Sequence, residues 1–199
     1  MANRTSSPTT NGAGSSSTDD TLAVAANALG KLDDAKTAQA IVSGTQTMSD
    51  DAKGNLANWW TPEDLAAFQK QAECIQKQFD QFKVGDVSTN GKLVSGESIA
   101  DLAGLKIAYA AYQKSQQGKP RQTIDGFTPE QRFFIGYAQS WAGQGRPEAE
   151  RLQATTDPHP LDRFRANAPL SNMPEFATAF GCKANDPMVR PADQRCVVW

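Results

Sequence analysis

The sequence has few of the residues on which many catalytic sites depend. Its 199 residues include one histidine and three cysteines. A single histidine cannot serve both as the base of a nucleophile and as a metal ligand, and the chain has no Gly-x-Ser-x-Gly motif and no phosphate-binding glycine loop. Hydrolases that use a serine or cysteine nucleophile, and nucleotide-binding enzymes, are therefore disfavoured.

The chain also lacks a strong net charge and a long apolar run. Twenty basic and 22 acidic side chains give a formal charge of -2, so neither nucleic acid nor an anionic membrane is an expected partner. No run approaches the roughly 18 apolar residues of a spanning helix, and the first residues do not form a signal peptide. The sequence therefore predicts a chain without a transmembrane segment or an export signal of its own.

The chain divides into three stretches of different composition. Residues 1–20 are mostly Ser, Thr, Asn, Gly and Asp, which bury too little apolar surface to offset the entropy of ordering, and disorder is predicted there. Residues 21–48 are rich in Ala and Leu and predict a marginal helix interrupted by Gly30. Residues 49–199 combine aromatic residues with helix-capping signals, and we expect them to form the folded part.

Capping signals predict two helices. Thr61 followed by Pro62 is typical of an N-cap and a first helical position, and predicts a helix that ends near Phe82. Thr128, with Gln131 three residues on, predicts a helix that ends near Trp141. The first of these helices places its apolar side chains at steps of three and four on one buried face: Leu65, Phe68, Ala72, Ile75, Phe79 and Phe82.

A third helix, apolar nearly all round, is predicted from Ser95 to about Gln116 and is expected inside the domain. A short helix is predicted after Asn172. Residues 84–94 contain two turn-forming pairs and predict either a short hairpin or an irregular loop. The predicted fold class is mainly α, with few strands.

Two carboxylates on the third helix form the first candidate site. Glu97 and Asp101 are four residues apart and therefore lie on the same helix face. Two buried carboxylates would raise each other's pKa unless a cation, a metal ion or strong hydrogen-bond donors compensate. The pair predicts either a solvated edge of the helix or a site in which one carboxylate binds a metal and the other supports it.

The single histidine, His159, lies in a proline-rich segment. A lone histidine in such a segment is usually a surface residue. Here Asp157 precedes it by two positions, and Arg163 and Arg165 follow it by four and six. A loop of this composition could present an imidazole and a guanidinium to a peptide carbonyl or a developing oxyanion.

Taken together, these segments resemble the neprilysin and endothelin-converting-enzyme family of zinc metallopeptidases over about three quarters of the chain. Several separate motifs occur in the order that the family has. They are Gly54-Asn55-Leu56 with Trp59-Trp60-Thr61, Gly96-Glu97-Ser98-Ile99-Ala100-Asp101, Gln131-Arg132-Phe133-Phe134 with Ala138-Gln139-Ser140-Trp141, Arg146-Pro147-Glu148, Asp157-Pro158-His159 with Phe164-Arg165, and Cys196-Val197-Val198-Trp199.

The resemblance implies the C-terminal part of a neprilysin-like catalytic domain of the thermolysin-like, or gluzincin, type. It implies that Glu97 is a ligand of a catalytic zinc ion and that Asp101 hydrogen-bonds a zinc-binding histidine. His159 would stabilise the tetrahedral intermediate, oriented by Asp157, and Arg165 would hold a backbone carbonyl of a peptide substrate. Arg163 fits this last role less well by position.

One departure from the family is large. The family's His-Glu-x-x-His helix supplies two zinc ligands and the glutamate that activates water. The corresponding part of this chain, residues 37–41, contains none of these side chains. The family's Asn-Ala-aromatic segment and its large N-terminal part are also absent, so the zinc site is expected to be incomplete. A smaller departure is Ser98, which replaces the family's usual asparagine.

The cysteines fit the same resemblance. It implies a disulfide between Cys74 and Cys196, and it implies that the partner of Cys182 lies in the family's N-terminal region. Because such bridges persist in oxidising compartments, it also implies a secreted, periplasmic or envelope-associated parent protein.

Three hypotheses follow. The first is a C-terminal portion of a zinc metalloendopeptidase, which cleaves peptides on the amino side of hydrophobic residues in the intact family and is inactive as this chain alone. The second is a non-enzymatic module that binds a peptide or the missing N-terminal half. The third is the product of a rearranged gene.

Overall fold

A computed structural model describes residues 49–50, 56–57 and 60–197. The predictions for residues 1–20 and 21–48 lie outside these residues, and the domain boundaries remain predictions. In the described part, two short hairpins pair β1 with β2 and β3 with β4, and six α-helices follow the order of the chain. The elements are β1 Ser49–Asp50, β2 Leu56–Ala57, α1 Pro62–Phe79, β3 Lys83–Val84, β4 Val87–Ser88, α2 Ser95–Ser115, α3 Pro129–Ser140, α4 Pro147–Thr156, α5 Asp162–Ser171, α6 Pro174–Ala179 and a 3-10 turn, Ala192–Gln194. The predicted mainly α fold with few strands is confirmed.

The two predicted capping signals are present. The Thr61 hydroxyl accepts a hydrogen bond from the Asp64 backbone N–H at 3.1 Å, which satisfies one of the free donors at the start of α1. At the start of α3, Thr128 and Gln131 exchange hydrogen bonds in a complete capping box. Because both helices begin with proline at the first helical position, their starts are fixed by local sequence.

The structure resolves one open alternative and corrects another expectation. Residues 83–88 form an antiparallel hairpin in which Gly85, with φ +65°, lies in the turn. The proline-rich segment around His159 is short, because α5 begins at Asp162 and carries Arg165 on a helix. The sequence interpretation placed this arginine in a loop, which is wrong. The helix tolerates Pro169 because this proline lies near its end, where it breaks few helical hydrogen bonds.

The main core is formed where α1, α2, α3 and α5 meet. Phe134 of α3 and Phe79 of α1 are each 1% exposed, and Ile99 and Leu102 of α2 are fully buried. The predicted apolar face of α1 is largely confirmed: three of its side chains are buried, and Leu65, Phe68 and Phe82 are partly buried. None of the described helices is long and apolar enough to cross a membrane.

A buried polar network joins α1, α5 and the C-terminal segment. The side-chain amide of Asn172, a residue 3% exposed, donates to Gln78 Oε1 at 2.8 Å and to the Ala168 carbonyl at 3.0 Å. Asn172 Oδ1 accepts from the Cys196 backbone N–H at 2.8 Å. The structure also contains the Cys74–Cys196 disulfide that the family resemblance implies, while Cys182 is a free thiol. These contacts fix α5, and with it Arg165, against α1.

Replacing Asn172 with Ala should therefore destabilise the domain. The change leaves Gln78 Oε1 and the Cys196 N–H buried without their partners, and each such group costs about 1–3 kcal/mol. Urea unfolding monitored by circular dichroism measures the loss. The matched control is Asn167→Ala, an exposed position on α5, the helix that Asn172 ends; it should change the free energy of unfolding by less than about 0.5 kcal/mol. Equal effects of the two substitutions would contradict the role of the network.

Candidate functional site

The guanidinium of Arg165 lies between the two carboxylates that the sequence singled out. Asp101 accepts from Arg165 Nε and Nη2 at 2.8 Å each, a two-point contact that matches the planar geometry of both groups. Arg165 Nη2 also donates to Glu97 Oε2 at 2.9 Å. The side chains of Asp101 and Arg165 are 8% and 13% exposed, whereas that of Glu97 is 39% exposed. Arg165 on α5 is therefore the cation that compensates the carboxylate pair on α2.

Two aromatic residues at the end of α3 hold Arg165 from its other sides: Tyr137 in the last turn and Trp141 at the C-cap. The Arg165 Cζ atom lies 4.0 Å from the centre of the Trp141 ring, which is a close cation–π contact. One helical turn earlier, the Tyr137 hydroxyl donates to the Arg165 backbone carbonyl at 2.9 Å. Burial and the nearby Asp101 carboxylate raise the pKa of Tyr137, so its hydroxyl stays protonated and remains a donor. The end of α3 thus fixes both the backbone and the side chain of Arg165.

His159 lies at the exposed edge of the same cluster. Its Nδ1 is 2.8 Å from Asp157 Oδ1, and its backbone N–H donates to the same oxygen at 2.8 Å. The backbone and ring hydrogen bonds from His159 lower the pKa of Asp157, which keeps this carboxylate ionised. Gln153 of α4 donates to the His159 carbonyl at 3.1 Å. The ring is therefore oriented with Nε2 toward Glu97 Oε1, at 3.8 Å, which is longer than a hydrogen bond.

Burial and the ion pair itself both shift the pKa values of Asp101 and Arg165. Burial raises the pKa of the Asp101 carboxyl, and the hydrogen bonds and positive charge of Arg165 limit that rise. Burial by itself lowers the pKa of Arg165, but Asp101 and Glu97 more than offset this effect, and the net direction is upward. Arg165 is therefore a permanent cation of the site.

The structure brings together Glu97, Asp101, Asp157, His159 and Arg165, the five side chains proposed from the sequence. Arg163 points elsewhere and pairs with Glu150 at 2.6 Å. Three contributors were not singled out as site residues: Tyr137, Trp141 and Gln153. The spacing of the two aromatic residues, four apart on a predicted helix, was a signal for a shared face, but nothing in the sequence said that this face meets Arg165.

The residues present do not fit a zinc ion. A catalytic zinc site has three protein ligands and an open position. Among the described residues no three His, Cys, Asp or Glu side chains are grouped so that they could hold a metal ion. One oxygen of Glu97 is already bound by Arg165, and the only histidine in the sequence is hydrogen-bonded to Asp157. This donor set supplies at most one carboxylate to a metal.

Comparisons with known proteins place the chain in a family. The model of Peptidase family M13 matches residues 44–196. Neprilysin-1 of Caenorhabditis elegans is 42% identical over 157 residues, which cover 75% of this chain and 20% of that protein. Human endothelin-converting enzyme 1 is 40% identical over 152 residues, again 75% of this chain and 20% of the relative. The chain belongs to Peptidase family M13, and it spans about a fifth of the length of these relatives.

Solved structures agree with this assignment. The Mycobacterium tuberculosis zinc metalloprotease Zmp1, in complex with an inhibitor, superposes with a TM-score of 0.71 at 31% identity, over 87% of this chain and 27% of that one. PepO of Lactobacillus rhamnosis superposes with a TM-score of 0.66 at 29% identity, over 90% of this chain and 26% of that one. The helical fold described above is therefore that of a segment of these longer proteins.

Replacing Arg165 with Met should cost about 3–5 kcal/mol of unfolding free energy at neutral pH, because it leaves a buried carboxylate without a partner. The deficit should shrink as the pH falls. Without Arg165 the folded-state pKa of Asp101 rises further above 3.8, so folding favours the protonated acid, and stability is lost as the pH rises through that folded pKa.

The matched control is Arg163→Met on the same helix. Its side chain is 43% exposed and its ion pair with Glu150 lies at the surface, so a change of about 0–1 kcal/mol is expected. Urea unfolding of both variants between pH 4 and pH 8 checks the prediction. Equal losses for the two arginines, or a deficit for Arg165→Met that is independent of pH, would show that Asp101 does not depend on Arg165.

Proposed function

We propose that this chain supplies the C-terminal portion of a zinc metalloendopeptidase site, with the side chains that hold a peptide and one carboxylate ligand, and that these 199 residues alone do not hydrolyse peptides. The observation that carries the proposal is the single cluster of Glu97, Asp101, His159 and Arg165. Membership of Peptidase family M13 supports it, and so does the structural similarity to the zinc metalloprotease Zmp1. By the family resemblance, the whole enzyme would cleave on the amino side of hydrophobic residues.

Arg165 is suited to bind a backbone carbonyl. Its Nε and Nη2 groups are used by the two carboxylates, but Nη1 donates no hydrogen bond to any of the described residues. A guanidinium held at one edge by Asp101 and against one face by Trp141 presents its remaining donors in a fixed direction. Such preorganised donors bind a carbonyl with little further loss of entropy.

His159 is suited to stabilise negative charge on a carbonyl oxygen. Its ring is oriented by Asp157, and its side chain is 55% exposed at the edge of the cluster. When the imidazole is protonated, Nε2 is a donor that solvent or a substrate can reach. Preorganised donors of this kind stabilise developing oxyanions. Asp157 would act through His159 as a positioning group.

We propose that the isolated chain is inactive because it has too few side chains that could bind zinc. The carboxylate Glu97 would need two further ligands and a group that activates water, and the sequence has no second histidine. The missing groups would come from a His-Glu-x-x-His helix, which residues 37–41 do not provide. Residues 49–199 are accordingly proposed as the peptidase portion, and an N-terminal part of a family member is the proposed partner.

A second candidate function is peptide binding without catalysis. Two groups favour it: the Arg165 Nη1, which has no hydrogen bond to the described residues, and the exposed His159 ring. Both can contact a peptide with no metal ion present. A compartment outside the cytosol is proposed for either function, because the Cys74–Cys196 disulfide persists under oxidising conditions. Cys182 would pair with a cysteine of the family's N-terminal region.

The chain should not hydrolyse a fluorogenic peptide of the neprilysin type, even with added zinc. When it is refolded together with an N-terminal portion of a family member that carries the His-Glu-x-x-His helix, hydrolysis should appear and should be lost on Glu97→Ala. The measurement is the initial rate of fluorescence release. Zinc-dependent hydrolysis by the chain alone, abolished by Glu97→Ala, would overturn the proposed silence.

Peptide binding tests the second candidate separately. Fluorescence anisotropy of a labelled hydrophobic peptide should show binding that Arg165→Lys weakens about tenfold or more, because lysine cannot keep the Asp101 contact and also donate to the peptide. Arg163→Lys is the matched control and should bind as the wild type does. Equal weakening by both variants, or no binding by the wild-type chain, would rule out peptide binding through Arg165.

A further inference from the structure

The turn that leads into α2 contains an Asn-Gly pair. Asparagine deamidates most readily before glycine, because a residue without a side chain leaves its backbone nitrogen unhindered. In this reaction the glycine nitrogen attacks the side-chain carbonyl carbon of the asparagine. The sequence has two such pairs, Asn11-Gly12 and Asn90-Gly91. Asn90 is exposed to solvent, so the contacts of the turn decide whether its two reacting groups can meet.

Both reacting groups of this pair are held by hydrogen bonds. The Gly91 N–H donates to Asp80 Oδ1, at the end of α1, over 2.7 Å, which is a short charge-assisted contact. Asn90 Oδ1 accepts from the Leu93 N–H at 3.0 Å, and the Asn90 backbone carbonyl accepts from the Val94 N–H at 3.1 Å. The nitrogen is therefore bound to α1 and the side-chain amide to the turn, so neither group rotates freely toward the other.

Packing explains why this labile pair stands here. A Cβ atom at position 91 would lie 2.0 Å from the Gln76 carbonyl oxygen and 2.8 Å from Asp80 Oδ1, so only the hydrogen of a glycine fits against α1. Gly91 itself is buried. Asparagine is one of the residue types whose side chain caps a turn or a helix start. The fold thus requires the glycine and uses the asparagine, and the same contacts with α1 hold the reacting groups apart.

We propose that Asn90 is a deamidation site that is closed in the folded domain and reacts when the turn separates from α1. In the open state the Gly91 nitrogen gives its proton to hydroxide and bonds to Asn90 Cγ, and the side-chain nitrogen takes a proton from water and leaves as ammonia. Water then opens the cyclic imide on either side, which leaves aspartate or isoaspartate at position 90. The change adds a negative charge to a turn that already contacts Asp80.

The reaction does not depend on peptide hydrolysis or peptide binding, and loss of ammonia makes it irreversible. Proteins open locally with free energies that differ from one segment to another, and the rate at Asn90 follows the fraction of chains in which this turn is open. Asn90 therefore records opening of the segment that leads to Glu97 and Asp101.

The test is peptide mapping by mass spectrometry after the full chain has been incubated at mildly alkaline pH. Trypsin releases residues 84–92, in which Asn90 is the only asparagine, and Asn11, in the segment predicted to be disordered, is the reference within the same molecule. In buffer, Asn90 should deamidate at least about tenfold more slowly than Asn11. In urea that unfolds the domain, the two rates should agree within about threefold, because both pairs are then free.

Asp80→Ala frees the Gly91 N–H and should raise the rate at Asn90 at least about fivefold while the rate at Asn11 stays the same. Asp86→Ala is the matched control, because it removes the same charge from a carboxylate whose side chain is 76% exposed, and it should change neither rate. Circular dichroism checks that each variant is folded.

Equal rates at Asn90 and Asn11 in buffer would overturn the proposal. An unchanged or lower rate at Asn90 in a folded Asp80→Ala would do so as well, and a lower rate would show that the carboxylate assists the reaction as a base. If Asp80→Ala does not fold, the comparison of buffer with urea decides alone: a difference between the two sites that urea abolishes supports protection by the fold, and a ratio that urea leaves unchanged refutes it.

Discussion

The two-point contact between Arg165 and Asp101 is the interaction on which the arrangement of the site depends. It joins α2 to α5 through a pair of side chains that are almost removed from water, and a buried ion pair is stable only when the geometry is good and the remaining donors and acceptors are used. The geometry is good, and the Nε and Nη2 donors of Arg165 are used. The two carboxylate oxygens of Asp101 are bonded, Glu97 takes a third hydrogen bond, and Trp141 covers the guanidinium.

Other parts of the fold can be understood from this contact. The end of α3 must reach α5, because Tyr137 and Trp141 both contact Arg165. The Asn172 network and the Cys74–Cys196 disulfide hold α5 and the C-terminal segment against α1. Gln153 brings α4 to the His159 carbonyl, so His159 lies at the open edge of the cluster. Helix α2 and the end of α3 thereby contact the guanidinium that α5 carries, and α4 holds the neighbouring His159.

Much of this could be predicted from local sequence. The capping residues Thr61 and Thr128 fix the starts of α1 and α3 because their effects act over three residues. Helix α5 was not predicted, because its sequence contains a proline and follows two others, and only tertiary contacts show that the last proline is tolerated.

The candidate site, too, could be predicted from the sequence only in part. Spacing placed Glu97 and Asp101 on one face and predicted that something must compensate them. It could not identify Arg165, which is 64 residues from Asp101 and meets it only through the packing of α2 on α5. The family resemblance named side chains that the structure brings together, and the comparisons establish membership of Peptidase family M13. Family membership does not by itself say which charged side chains meet in the site of a particular chain, because that depends on the side chains that the chain contains.

The central claim is that Arg165 is locked between two carboxylates and an indole ring. Its Nε–H signal in a two-dimensional NMR spectrum tests this most directly, with the exposed Arg163 as an internal reference. We expect a separate Arg165 signal that exchanges slowly with water and is displaced by the ring current of Trp141. An Arg165 signal that exchanges with water as fast as that of Arg163, or that shows no ring-current shift, would contradict the account.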